Sequence, residues 1–153
     1  MKKNEFKEML LQTAVCAIAC DGKIDDREKQ ALYHIEKEST YFVDFNLSKK
    51  LESSIKACTD DYNLFQDKLF NSVNNSTLNI VQELMLLEVS LRIIAADNIE
   101  EDLEKVFILK LRELLVLSDD MIKERFGVID YLHSSEFKSF NTIADIESKK
   151  IEK

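Results

Sequence analysis

The stretch Ile18-Ala19-Cys20-Asp21-Gly22-Lys23-Ile24-Asp25-Asp26-Arg27-Glu28-Lys29 has a second copy 76 residues further on. It reads Ile94-Ala95-Ala96-Asp97-Asn98-Ile99-Glu100-Glu101-Asp102-Leu103-Glu104-Lys105. Without a gap, Asp21 falls on Asp97, Asp26 on Asp102, Glu28 on Glu104 and Lys29 on Lys105. The apolar run ahead of each copy aligns as well, Met9-Leu10-Leu11 over Met85-Leu86-Leu87. An internal repeat fixes architecture before any single residue is interpreted. Each copy reads as helix, acidic turn, helix, so the chain predicts two related helix pairs.

Working outward from the first copy, Phe6, Leu10, Ala14, Ala17 and Ile18 recur at helical spacing and predict a helix over 5–20. Asp21-Gly22 ends it, with Gly22 free to take the left-handed conformation. Asp25-x-x-Glu28 reads as a capping box that starts a helix running through Leu32 and Ile35 to about 39. Two shorter helices are expected over 51–58 and 62–70, then a loop at Asn74-Asn75-Ser76-Thr77, with Thr77 as the cap of the next helix. That helix, over 78–96, is apolar almost all round, which predicts the buried central element of the fold. Beyond Asp97-Asn98, a helix to about 116 is expected to bury Leu103, Val106, Phe107, Leu111, Leu114 and Leu115. Ser118-Asp119-Asp120 caps another that stops near Gly127. In the tail, Phe137, Phe140 and Ala144 again fall at helical spacing before the sequence becomes charged at Lys149, Lys150 and Lys153.

Composition agrees with this reading. The 153 residues contain no proline and two glycines, so few helix breakers are present. The expected fold is all-α: a single compact domain of about seven to nine helices spanning 1–153, with no linker to divide it. A formal net charge of −8 disfavours nucleic acid as a partner and favours cations or basic proteins. No apolar run reaches the ~20 residues needed to span a membrane, and the N-terminus reads as no secretory leader. Three cysteines, an odd number, fit reduced thiols in the cytoplasm better than a disulfide framework.

The paired acidic turns hold the only constellation with enough chemistry to suggest a function. Hard cations such as Ca²⁺ and Mg²⁺ take oxygen ligands from converging carboxylates. In each copy an aspartate ends one helix and a glutamate sits in the first turn of the next, so a tight turn could bring them together. The two copies could also face each other across a pseudo-twofold axis. The pattern is not an EF-hand loop, because glycine directly follows the first aspartate. The same residues also serve as caps: acids in a first turn favour the helix dipole, and Asn98-x-x-Glu101 would cap the second helix as Asp25-x-x-Glu28 caps the first.

Cys20-Asp21-Gly22-Lys23-Ile24-Asp25-Asp26-Arg27-Glu28 resembles the Ala-Asp-Gly signature, with a glutamate seven residues on, of the TerB-like family linked to tellurite resistance. Ile94-Ala95-Ala96-Asp97, with Glu104 seven further, resembles that family's second signature, and Leu114-Leu115-Val116-Leu117-Ser118-Asp119 is similar to the segment that follows it. The resemblance covers about 9–125 and leaves 128–153 as an extra C-terminal helical segment. Asn98 stands where glycine is usual, and asparagine tolerates the same turn. The resemblance implies an all-helical adaptor rather than a catalyst. It also implies a stress-response role at the inner face of the membrane, reached through a protein partner. The metal-site residues it implies are Asp21, Asp25 and Glu28 in the first copy and Asp97, Glu101 and Glu104 in the second.

Other residues carry less. Cys16 and Cys20 share a helix face and, with Cys58, read as small core residues rather than a soft-metal site. His34 and His133 stand alone, without zinc-ligand spacing. Arg92, inside an apolar helix, is expected to pair with an acid from another helix. Nothing resembles an activated nucleophile or a phosphate-cradling loop, so an enzyme is not expected. The alternative to a cation site is a metal-independent protein-interaction module with an acidic face.

Overall fold

The computed structural model describes residues 2–97 and 102–132. They form seven α-helices and two short 3-10 turns, with no strand among the described residues. In order these are α1 (Lys3–Ala19), α2 (Asp26–Glu38), α3 (Leu47–Asp60), α4 (Tyr62–Asn75), α5 (Ile80–Ile94), α6 (Asp102–Leu114) and α7 (Asp119–Phe126). The 3-10 turns are Ala95–Asp97 and Asp130–Leu132. The all-α expectation holds.

The centre of the molecule is α1, not α5. Eleven of its 17 residues are buried, and it packs against every helix from α2 to α6. Its run from Leu10 to Ile18 is buried except at the half-buried Gln12, and its one interior hydroxyl, Thr13, donates to Met9 O at 2.8 Å. A fully buried Leu or Ile stabilises the fold by about 1.5–3 kcal/mol, so this helix carries a large share of the core. The helix expected to be central, α5, keeps a polar edge. Glu88 and Arg92 sit one turn apart on it, and Val81 is exposed.

Arg92 pairs with Glu38 of α2 and with Glu88, as expected of a cation in an apolar helix. Glu88 also accepts from Tyr41 Oη at 2.6 Å and Arg125 Nη2 at 2.8 Å, joining α5 to α7 and to the turn after α2. Glu83, buried on α5, accepts from the Val116 amide at 2.9 Å and so fastens the connection between α6 and α7. Phe70 of α4 stacks on Phe107 of α6, with ring centroids 5.9 Å apart.

Boundaries follow the caps. Asn46 and Asp61 start α3 and α4, both of which run longer than the apolar spacing alone predicts. Asn79 caps α5 in a reciprocal box with Gln82, displacing the expected cap at Thr77. Ser118 caps α7 through the Met121 amide, and Gly127 ends it at φ 81°, both as expected. The C-terminal segment 133–153, with His133, Phe137, Phe140, Ala144 and the terminal lysines, lies outside the described residues.

Candidate functional site

The first acidic turn is built by three local devices. Gly22 takes φ 81°, and its amide bonds to Ala19 O at 2.9 Å, turning the chain off the end of α1. Asp21 Oδ1 then accepts from the Lys23 amide at 3.0 Å, an Asx turn. Asp25 caps α2 by accepting from the Arg27 amide at 2.7 Å. The expected capping box with Glu28 is not formed, because Glu28 points into the protein and is only 1 % exposed.

This separates the predicted site residues into two sets. Asp25 is committed outward to Arg27, whose guanidinium reaches its two carboxylate oxygens at 3.3 and 3.1 Å. The Arg27 side-chain and amide hydrogen bonds hold the Asp25 carboxyl below the usual range. Glu28 is buried and Asp21 is half-buried in the turn, and the charges of both act on Cys20. From the second copy, Glu104 in the first turn of α6 is also 1 % exposed and reaches the same place. The repeat-matched glutamates are thus buried alike, and both raise the pKa of Cys20. Of the other predicted residues, Asp97 ends the 3-10 turn after α5, and Glu101 lies outside the described residues together with Asn98.

Cys20 marks the point of convergence. Its thiol is pushed far above the usual range, first by burial and then by the charges of Glu104, Asp21 and Glu28. Three acidic side chains, from α2, α6 and the turn between α1 and α2, therefore act on one thiol. Among the described residues no three His, Cys, Asp or Glu side chains lie close enough together to hold a metal ion.

Sequence reasoning took Cys20 as a core residue and Glu28 as half of a cap. A signal for the buried glutamates was present. In α2, Glu28 continues the stripe of Leu32 and Ile35; in α6, Glu104 continues the stripe of Phe107, Ile108 and Leu111. A carboxylate at a stripe position faces the core. Beside the first turn, a shallow groove between α2 and the end of α5 is lined by Asp26, Arg27, Gln30, His34, Arg92 and Ala96.

No family model, curated protein or solved structure matches the chain.

Proposed function

We propose that the protein is a non-enzymatic, TerB-like module that takes a divalent cation, Ca²⁺ or Mg²⁺, through its two acidic interhelical turns. In this reading the bound cation presents those turns to a protein partner in a stress response at the inner side of the membrane. One observation carries the reading: Glu28 and Glu104, matched by the repeat, are both withdrawn from water and both act on Cys20. A cation held by these two carboxylates would offset the cost of keeping them from water. The carboxylate oxygens of Glu28 and Glu104 favour hard cations over soft ones.

The test is thermal unfolding of chelator-treated protein with and without millimolar Ca²⁺ or Mg²⁺. A ligand that binds the folded state alone raises Tm, by about 2.7 kcal/mol of stabilisation at a hundredfold excess over Kd. The expected result is a cation-dependent rise that is lost in the Glu28→Gln, Glu104→Gln double variant. An unchanged Tm in the parent protein, or an equal rise in the variant, defeats the reading.

A metal-independent interaction module is favoured by different features. Leu103 and Val106 are exposed one turn apart on α6, beside the second acidic copy. The groove between α2 and α5 adjoins the first. On a chain of net charge −8, such a surface suits a basic partner with apolar anchors. Partner capture that falls with salt and ignores chelator would support this second reading.

A further inference from the structure

The lysines of this acidic chain are not spread evenly. Lys2, Lys3 and Lys7 lie at the start of α1, and Lys49 and Lys50 lie in the first turn of α3. The fold brings these two helix starts to one corner. Lys50 Nζ bonds to Glu8 Oε2 of α1 at 3.3 Å, and Lys7 Nζ donates to Val43 O in the loop that leads into α3. Lys2, Lys3, Lys49 and Lys50 are exposed there, as is Val43. Three acids share the corner, Glu5, Glu8 and Asp44, so it is net positive on a chain of net charge −8.

Acids gather at the far end. α1 and α3 pack side by side and run the same way, because α4 returns along them and brings Asn71 and Ser76 back to Glu5 and Glu8 across a groove. About 20 Å from the lysines, α3 therefore ends at the exposed Asp60 and Asp61. Here α1 ends too, in the turn that carries Asp21, Asp25 and the exposed Asp26. The end of α5 reaches the same place, since Ala95 and Ala96 share a groove with Asp26. After the 3-10 turn that follows α5, α6 begins with Asp102 and Leu103, both exposed.

Helix stability does not account for the lysine corner. The positive pole of a helix dipole lies at its N-terminus, so lysines in a first turn are unfavourable. α3 has Lys49 and Lys50 in its first turn with no acid beside them, and Asp60 in its last. Side-chain charges and the dipoles of α1 and α3 thus add, making one corner positive and the far end negative. Among the described residues Lys2, Lys3, Lys49, Asp26 and Asp102 enter no ion pair that would cancel this.

We propose that copies of this chain associate head to tail, with the lysine corner of one seated on the acidic end of the next. The ammonium groups of Lys49 and Lys50 meet the carboxylates of Asp26 and Asp102, with Val43 and Leu103 as apolar anchors among them. Both halves of the contact are carried by every copy and are opposite in sign, whereas a symmetric pairing of either patch sets like on like. The two patches differ, so the contact is heterologous and stays open to further copies. It needs no bound cation, and Asp26 and Asp102 are not among the proposed cation ligands, so the two proposals stand or fall separately.

The test is sedimentation velocity of the full chain in chelator, over a range of protein concentrations. At about 20 mM salt the parent should form species heavier than the monomer, increasingly so with concentration. At about 500 mM salt, where charge is screened within a few ångströms, it should return to monomer. The Lys49→Gln, Lys50→Gln and the Asp26→Asn, Asp102→Asn double variants each remove one half of the contact at exposed positions, where substitution disturbs a fold little. Each alone should associate at least about tenfold more weakly than the parent. An equimolar mixture of the two should form a heterodimer through the one intact pair of patches and stop there. A parent that stays monomeric at low salt up to millimolar protein overturns the proposal. So does association that either variant retains in full, or a mixture that stays monomeric while the parent associates.

Discussion

Glu28 and Glu104 fall at stripe positions that apolar residues occupy in the rest of α2 and α6. Their effect is read most directly at the neighbouring Cys20. Replacing both with glutamine removes two of the charges that hold the thiol protonated, so the pH midpoint of its alkylation should fall. It should remain above the usual thiol value, because burial is the largest cause of the shift. An unmoved midpoint would mean that the two glutamates do not reach the sulfur. Glu83 offers a second test. Burial raises its pKa despite amide bonds from Val116 and Leu117 and the nearby Arg112 charge. The folded state therefore holds the Glu83 proton more tightly than the unfolded chain. That contribution is fully present below the ordinary value of about 4.3 and is lost as pH rises through the raised one. Glu83→Gln keeps an acceptor for Val116 but does not titrate, so its denaturation midpoint should fall less than the parent's across that window. At this scale the sequence made the acids visible but not their directions. Asp25 turns outward to Arg27 and Glu28 inward because the phase of α2 is set by Leu32 and Ile35 against the core.

Among the helices, the turn between α1 and α2 is the sharpest local requirement. Gly22 sits at φ 81° in open space, where an added Cβ would meet nothing within 4 Å. Gly22→Ala should therefore cost only the backbone penalty, roughly 1–2 kcal/mol in denaturant unfolding, and Gly22→Asn should cost less. A loss well above that range would show that the turn is crowded. Within α1, Leu11→Ala should cost about 2–5 kcal/mol, since the side chain is wholly buried where α1 meets its neighbours. The presence and order of the helices were legible from apolar spacing and from caps such as Ser118 and Gly127. The identity of the central helix was not. Composition made α5 look buried all round, yet Glu88 and Arg92 give it a polar edge that binds Tyr41, Glu38 and Arg125. The alanines and small residues of α1 read as weakly apolar in sequence, but they let that helix approach five others. The cap of α5 was misplaced by two residues because Thr77 and Asn79 are both good cap formers, and only Asn79 has Gln82 three positions on.

For the whole molecule, the repeat had the largest consequence. It puts Glu28 and Glu104 at matching buried positions at the starts of α2 and α6, and both, with Asp21, act on Cys20. No helix among the described residues is long and apolar enough to cross a membrane. An acidic chain of net charge −8 with its acids concentrated at two matched turns should attract cations to that face first. The equal spacing of Asp21 to Glu28 and of Asp97 to Glu104 marked the two glutamates as a pair, but not their effect on Cys20. One of its neighbours, Glu104, comes from a helix 84 residues further along the chain, which no local pattern reveals. The central claim, that the two acidic turns form one cation-binding face, is tested most directly by calorimetric titration of chelator-treated protein with Ca²⁺, with Mg²⁺ alongside. The account predicts saturable heat in the parent protein that disappears in the Asp21→Ala, Asp97→Ala double variant. No heat up to millimolar cation, or equal heat in that variant, would contradict it.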